Sequence, residues 1–149
     1  MILFSQLRRQ MWVFKNAKRL DDDVHTMMYL TPVMLHDINT GVTESKPDLI
    51  GKVWAIRHDM KLADAVFHGY WFDKTYKVNA PDVYVSWYEL KNAPYRRMIV
   101  VGNVSKTDRT VKLEGIGNGK LYDLWNNNAP QNANSIKVAK ESFRVFGLK

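Results

Sequence analysis

Few residues in this chain have the type and spacing that chemistry requires. Cysteine is absent, which removes disulfides, thiolate metal sites and thiol nucleophiles together. His25, His36, His58 and His68 lack the i, i+4 pairing and nearby glutamate of a zinc-binding helix, so no metal site is expected. Asp21-Asp22-Asp23 is the only acidic run and reads as a solvated loop. His36-Asp37 follows the apolar run Met27–Leu35, which is how a catalytic pair at the end of a strand would look. A loop pair with local hydrogen bonds is the preferred reading of it. Ser86 and Ser105 have no histidine partner in a strand-turn-helix setting, so no nucleophile elbow is indicated. Gly115-Ile116-Gly117-Asn118-Gly119 lies between two expected strands, with no helix end to attract a phosphate, and reads as a turn. Asn103-Val104-Ser105 matches a glycosylation triplet, a pattern common by chance. No catalytic residue and no cofactor is assigned.

The aromatic residues are the better binding candidates, because a pyranose presents an apolar C–H face to an aromatic plane. Tyr70, Trp71, Tyr84, Trp87, Tyr88, Tyr95 and Trp125 qualify by type. Trp87 shares a strand face with Val83 and Val85 and is placed in the core. Tyr84 and Tyr88 share the opposite face with Ser86, against helices or solvent. Tyr70, Trp71, Tyr84 and Tyr88 are therefore the candidate carbohydrate-binding residues, with packing between domains as the competing role.

The first half must position these residues with helices. Ser5 caps a run in which Leu7, Met11, Phe14 and Ala17 follow helical spacing, and Lys15, Lys18 and Arg19 complement its C-terminal dipole. His25–Leu35 is apolar but contains Pro32, leaving a short strand and a buried helix both open. Residues 37–47 read as a loop. Ser45 and Asp48 form a capping box with Pro47 in the first turn. Apolar positions from Leu49 to Phe67 then predict a helix over residues 47–67, ended by His68-Gly69. That stripe, with Ile50, Val53, Trp54, Ile56, Val66 and Phe67, is too broad for one sheet to cover.

After Trp71 the period changes to two. Strands are expected over Val83–Tyr88, Met98–Gly102, Thr110–Leu113, Leu121–Trp125, Ile136–Val138 and Phe143–Phe146, separated by turn-rich segments. Short strands at this spacing read as an antiparallel sandwich or barrel, and no room exists for the crossover helices of a parallel sheet. The fold class is α+β: a helical segment over residues 1–75 packed with a Greek-key β-sandwich over residues 76–149.

The 149 residues carry a net charge of +7. Residues 1–75 hold ten Lys/Arg and nine Asp/Glu, and residues 76–149 hold twelve and six. The excess is scattered over strand positions such as Lys106, Arg109, Lys112 and Lys120. A nucleic-acid site clusters its cations, so no nucleic-acid partner is expected, and edge lysines that discourage aggregation account for the charge. No apolar run approaches the roughly 18 residues of a membrane span, and the first residues lack a signal-peptide pattern. The compartment stays open.

Three stretches carry a family resemblance: His68-Gly69-Tyr70-Trp71, Asn79-Ala80-Pro81-Asp82-Val83-Tyr84-Val85-Ser86-Trp87-Tyr88, and Ile99-Val100-Val101-Gly102-Asn103-Val104-Ser105. The region from residue 68 to residue 149 resembles the C-terminal end of bacterial glycoside hydrolase-like proteins related to β-N-acetylgalactosaminidases, with Val104 where an aromatic is common. The resemblance implies a β-sandwich following a (β/α)8 barrel, with the helices of residues 1–75 as the last helices of that barrel. A full barrel takes about 250 residues, so the chain resembles the tail of a longer enzyme of carbohydrate degradation, from a family often exported. The paired carboxylates of glycoside hydrolysis belong to central barrel strands, so a structural, non-catalytic role is implied. A stand-alone carbohydrate-binding module is the alternative. The implied partners are a second copy or a missing barrel domain, bound through the helical half, and a carbohydrate.

Overall fold

The structure, a computed structural model, describes residues 22–40 and 45–149. The helix expected over residues 5–20 lies outside them. The described elements run α1 (Asp23–Leu35), α2 (Pro47–Asp59), a 3-10 turn (Leu62–Asp64), then β1 (Val66–His68), β2 (Lys77–Val78), β3 (Val83–Glu89), β4 (Arg97–Asn103), β5 (Arg109–Val111), β6 (Leu113–Glu114), β7 (Leu121–Asp123), β8 (Ala129–Gln131), β9 (Ile136–Val138) and β10 (Ser142–Leu148). The class is α+β, with every strand pair antiparallel.

A six-stranded sheet in the order β1-β3-β4-β10-β7-β8 is the centre of the molecule. Its three seven-residue strands, β3, β4 and β10, adjoin. Both faces of this sheet are covered, so period two sorts apolar residues between two cores rather than between core and water. Tyr88, Met98, Val100, Phe143 and Val145 face α1 and α2, joining Leu30, Met34, Leu35, Ile50 and Val53. Val83, Val85, Trp87, Ile99, Val101 and Phe146 face the other way. There the ribbons β2-β6 and β5-β9 close the second core with Tyr76, Val111, Leu113, Ile136 and Val138. The layers are helices, sheet and ribbons.

The open choice at His25–Leu35 resolves as helix, so Met27–Leu35 is not a barrel strand. The buried residues Thr26, Leu30, Val33 and Met34 stand at i, i+4, i+7 and i+8, which one helical face brings together. Asp22 and Asp23 of the acidic run start this helix instead of forming a loop. Asp22 is the N-cap and accepts from the His25 backbone N–H at 2.7 Å, and Asp23 sits where the dipole favours a negative charge. Pro32 costs the hydrogen bond to the carbonyl four residues back, a loss that burial against β4 and β10 offsets. Gly102 of β4 makes this close approach possible, because a Cβ there would lie 2.5 Å from Leu35 Cδ1.

The second helix ends at Asp59, not near Phe67. Its N-cap is Lys46, one residue beyond the expected Ser45, and makes no side-chain cap bond, and Pro47 opens the helix. Lys61 adopts a left-handed conformation with φ 52° and stops the helical path. Val66–His68 instead pairs with Trp87–Glu89 of β3. The stripe broke because its last residues serve a strand edge. Ile50, Val53 and Ile56 are buried by the sheet, and Trp54 remains outside. Three short strands escaped the sequence reading, β1, β2 and β8, and the single strand expected over Thr110–Leu113 is divided between β5 and β6, which pair with β9 and β2 respectively.

Candidate functional site

The C-terminus of α1 builds one end of the candidate site. The Ile38 N–H closes onto the Val33 carbonyl at 3.1 Å, a Schellman-type closure. Asp37 holds the left-handed position usual for glycine there, with φ 54°. This turn aims Asp37 at β3 and His36 at the segment that follows β1. The Asp37 carboxylate accepts from the Tyr88 hydroxyl at 2.8 Å and from Arg57 of α2 at 2.9 Å. The His36 ring donates through Nδ1 to the Pro32 carbonyl at 2.8 Å. In the neutral ring Nε2 then accepts from the Tyr70 hydroxyl, 3.3 Å away. Burial raises the Tyr88 phenol far above its ordinary pKa, and the Asp37 charge adds to the effect. The His36-Asp37 pair thus ties α1 to the sheet.

The four candidate aromatics come together but differ in exposure. Tyr88 is buried and touches Phe67 at 5.0 Å between ring centroids. Tyr70 is nearly buried and lies 4.5 Å from the half-buried Tyr84. Burial raises the Tyr70 phenol pKa, with Tyr84 adding to it. Trp71 alone is well exposed, at 50%, beside Phe72 at 63%. Its indole is nonetheless held on several sides. It stacks on His36 at 5.3 Å and 15° and meets Phe67, Tyr70 and Phe72. It also folds over Gly69, where a Cβ would come within 2.5 Å of the ring. Glycine at 69 therefore makes room for the tryptophan rather than ending a helix. Of the other aromatics, Trp87 is core as expected and Tyr95 is buried. Trp125 packs on Phe143 with the Lys52 ammonium over its ring.

A second cluster was not legible from spacing. His68 stacks on Trp87 at 3.8 Å and 3°, and Arg97 lies 4.8 Å over the Trp87 ring. His68 Nδ1 meets Asp73 Oδ2 at 3.1 Å, and the Thr75 backbone donates to Asp73 Oδ1 at 2.8 Å. Burial pushes the Asp73 carboxyl up, but the Thr75 backbone, the Trp87 indole, the Thr75 hydroxyl and His68 together outweigh it and hold the pKa at about 2. Trp87 Nε1 closes no hydrogen bond of good geometry. Only the five-residue gap between His68 and Asp73, bridged by the tight turn at Gly69, foreshadows this pair.

Among the described residues no three His, Cys, Asp or Glu side chains gather as a metal site, and no helix is long and apolar enough to cross a membrane. Asn103 is fully buried, and its amide makes five hydrogen bonds. They tie β4 to the turn at Ser105–Thr107 and to the carbonyls of Val138 and Ala139. The glycosylation triplet is therefore a structural staple. No protein-family model, no curated protein and no solved structure matches this chain.

Proposed function

We propose that the chain is the non-catalytic C-terminal accessory part of a glycoside hydrolase-like protein acting in carbohydrate degradation, its sheet and ribbons forming a Greek-key β-sandwich. The observation that carries this reading is an exposed apolar surface around the end of α1. Ile38, Trp54, Val66, Trp71 and Phe72 are all exposed. The Trp54 indole N–H reaches Thr40 at 2.7 Å, while Trp71 stacks on His36, so both flank the same turn. Among the described residues β1 has no strand on its outer side. Apolar surface of this kind marks an interaction site, and it lies in the half of the chain that the resemblance assigns to a barrel. The residues that carry the resemblance also have structural uses, Gly69 under Trp71 and Asn103 as a staple.

Sedimentation of the purified chain tests this together with a panel of nitrophenyl glycosides. Self-association at tens of micromolar, abolished by Trp54→Glu and Phe72→Glu, and no turnover are expected. A monomer that hydrolyses a glycoside, with activity lost in Asp37→Asn, overturns the reading.

A carbohydrate-binding module is the second reading, favoured by Trp71. An exposed indole fixed by its neighbours offers a stacking plane without losing side-chain entropy on binding. Trp71→Ala should then abolish retention on immobilised polysaccharide. Equal retention of the variant rejects Trp71 as the platform.

A further inference from the structure

β1 pairs with β3 only at Trp87, Tyr88 and Glu89. The outer edge of β3 from Val83 to Val85 therefore has no neighbour within the sheet. The chain following β1 runs past this edge, and a pocket of about 200 Å³ lies between the two. Pockets for drug-sized ligands span roughly 300–1,000 Å³, so this one admits a single small ring.

Its lining has a mixed chemistry. Val78, Val83 and Val85 supply apolar walls, and Tyr70 and Tyr84 supply rings. Asp73 is an acceptor-only group. The His68 ring and the Thr75 backbone each hold one of its oxygens and the Thr75 hydroxyl also acts on it, so of a carboxylate's about four lone-pair sites one remains to accept. Lys74 donates to the Tyr70 carbonyl at 2.6 Å, which fixes its ammonium at the rim with two further donors. Lys77 is another donor-only group in the lining, and the Tyr84 hydroxyl makes no hydrogen bond among the described residues.

Each kind of ligand meets a different part of this lining. An anion meets Asp73, which stays ionised because its pKa is held at about 2. A cation meets two lysines. A neutral polyol suits both, because every hydroxyl donates and accepts at once and finds acceptor-only and donor-only groups side by side. The valines and tyrosine rings suit the C–H faces of the same molecule. We propose that this pocket binds one neutral pyranose, the exposed end of a glycan, end on. This deepens the carbohydrate-binding reading and rests on it, but assigns the ligand to the β3 edge rather than to Trp71.

The test is titration of the isotope-labelled full chain with methyl pyranosides of several configurations, to about 50 mM, the range of millimolar affinities and weaker. Amide shifts in residues 73–78 and 83–85, saturating with at least one neutral glycoside, are expected. A hexuronate and a hexosamine should bind several-fold more weakly. Tyr84→Phe should weaken binding by about threefold to tenfold, the loss of one hydrogen bond, and Lys74→Gln similarly, with the unliganded spectrum of each variant confirming the fold. Shifts confined to Trp71 and Phe72 overturn the pocket while leaving the carbohydrate reading standing. No shifts with any sugar overturn both. Tighter binding of the hexuronate overturns the neutral-ring assignment.

Discussion

The Asn103 side chain shows how a buried polar group earns its place: three carbonyls accept from its Nδ2, and its Oδ1 accepts from both Ser105 donors. Asn103→Ala takes the amide donor from those carbonyls, of which the Thr107 carbonyl keeps the Ser105 hydroxyl and only the bond to Val138 is fully buried, so a loss of about 1–3 kcal/mol in urea unfolding is expected. Ser105→Ala, which also destroys the triplet, should cost only about 1 kcal/mol. Asp73 gives a pH test. Its folded pKa of about 2 lies below the ordinary 3.8, so the carboxylate favours the folded state above the ordinary value. That contribution is lost as pH falls through the folded value. Stability should drop between pH 4 and pH 2, and Asp73→Asn should flatten the drop in acid titrations followed by tryptophan fluorescence. At this scale the sequence exposed residue types but not partners. Tyr84 and Trp87 sorted onto opposite faces because period two is local. The His68–Asp73 and Asp37–Tyr88 pairs depend on turns at Gly69 and Asp37 whose geometry no spacing encodes.

Between elements, the contact of α1 with β4 rests on a missing side chain. Gly102→Ala would place a methyl 2.5 Å from Leu35 Cδ1 and 2.8 Å from its Cγ, an overpacking that costs about 1–3 kcal/mol. Leu35→Ala should cost about 2–5 kcal/mol through its cavity. The double variant is expected to lose less than the sum, because each change accommodates the other. Additive losses in a double-mutant cycle would mean that the helix shifts as a body. Strands β3, β4 and β9 were readable because alternation persisted and turns bounded them. β1 was hidden because Val66-Phe67-His68 prolongs the apolar stripe of α2, and only the open edge of β3 decides that it is extended. β8 carries Pro130, which argues against a strand unless it lies at an edge, and β8 is the last strand of its sheet. Pro32 concealed α1 in the same way, since burial of Leu30, Val33 and Met34 outweighs a lost hydrogen bond.

At the scale of the molecule, one sheet has two dry faces. Residues 76–149 alone would leave Tyr88, Met98, Val100, Phe143 and Val145 without the helices that cover them. At about 1.5–3 kcal/mol per large side chain, five such residues amount to roughly the net stability of a small domain. The isolated fragment is therefore expected to lack a sigmoidal urea transition, while the full chain unfolds helices and strands together, as coincident circular dichroism and fluorescence curves would report. The Asn103 staple has a further consequence for production in a host that attaches glycans. Once β4 is in place, Asn103 has no exposed surface and a transferase cannot reach it. Before that, the triplet is an open acceptor, and a glycan attached then could not enter the interior. Glycosylation and folding become competitors for one side chain, and the fraction of secreted chains bearing a glycan at Asn103 would measure which of them is faster.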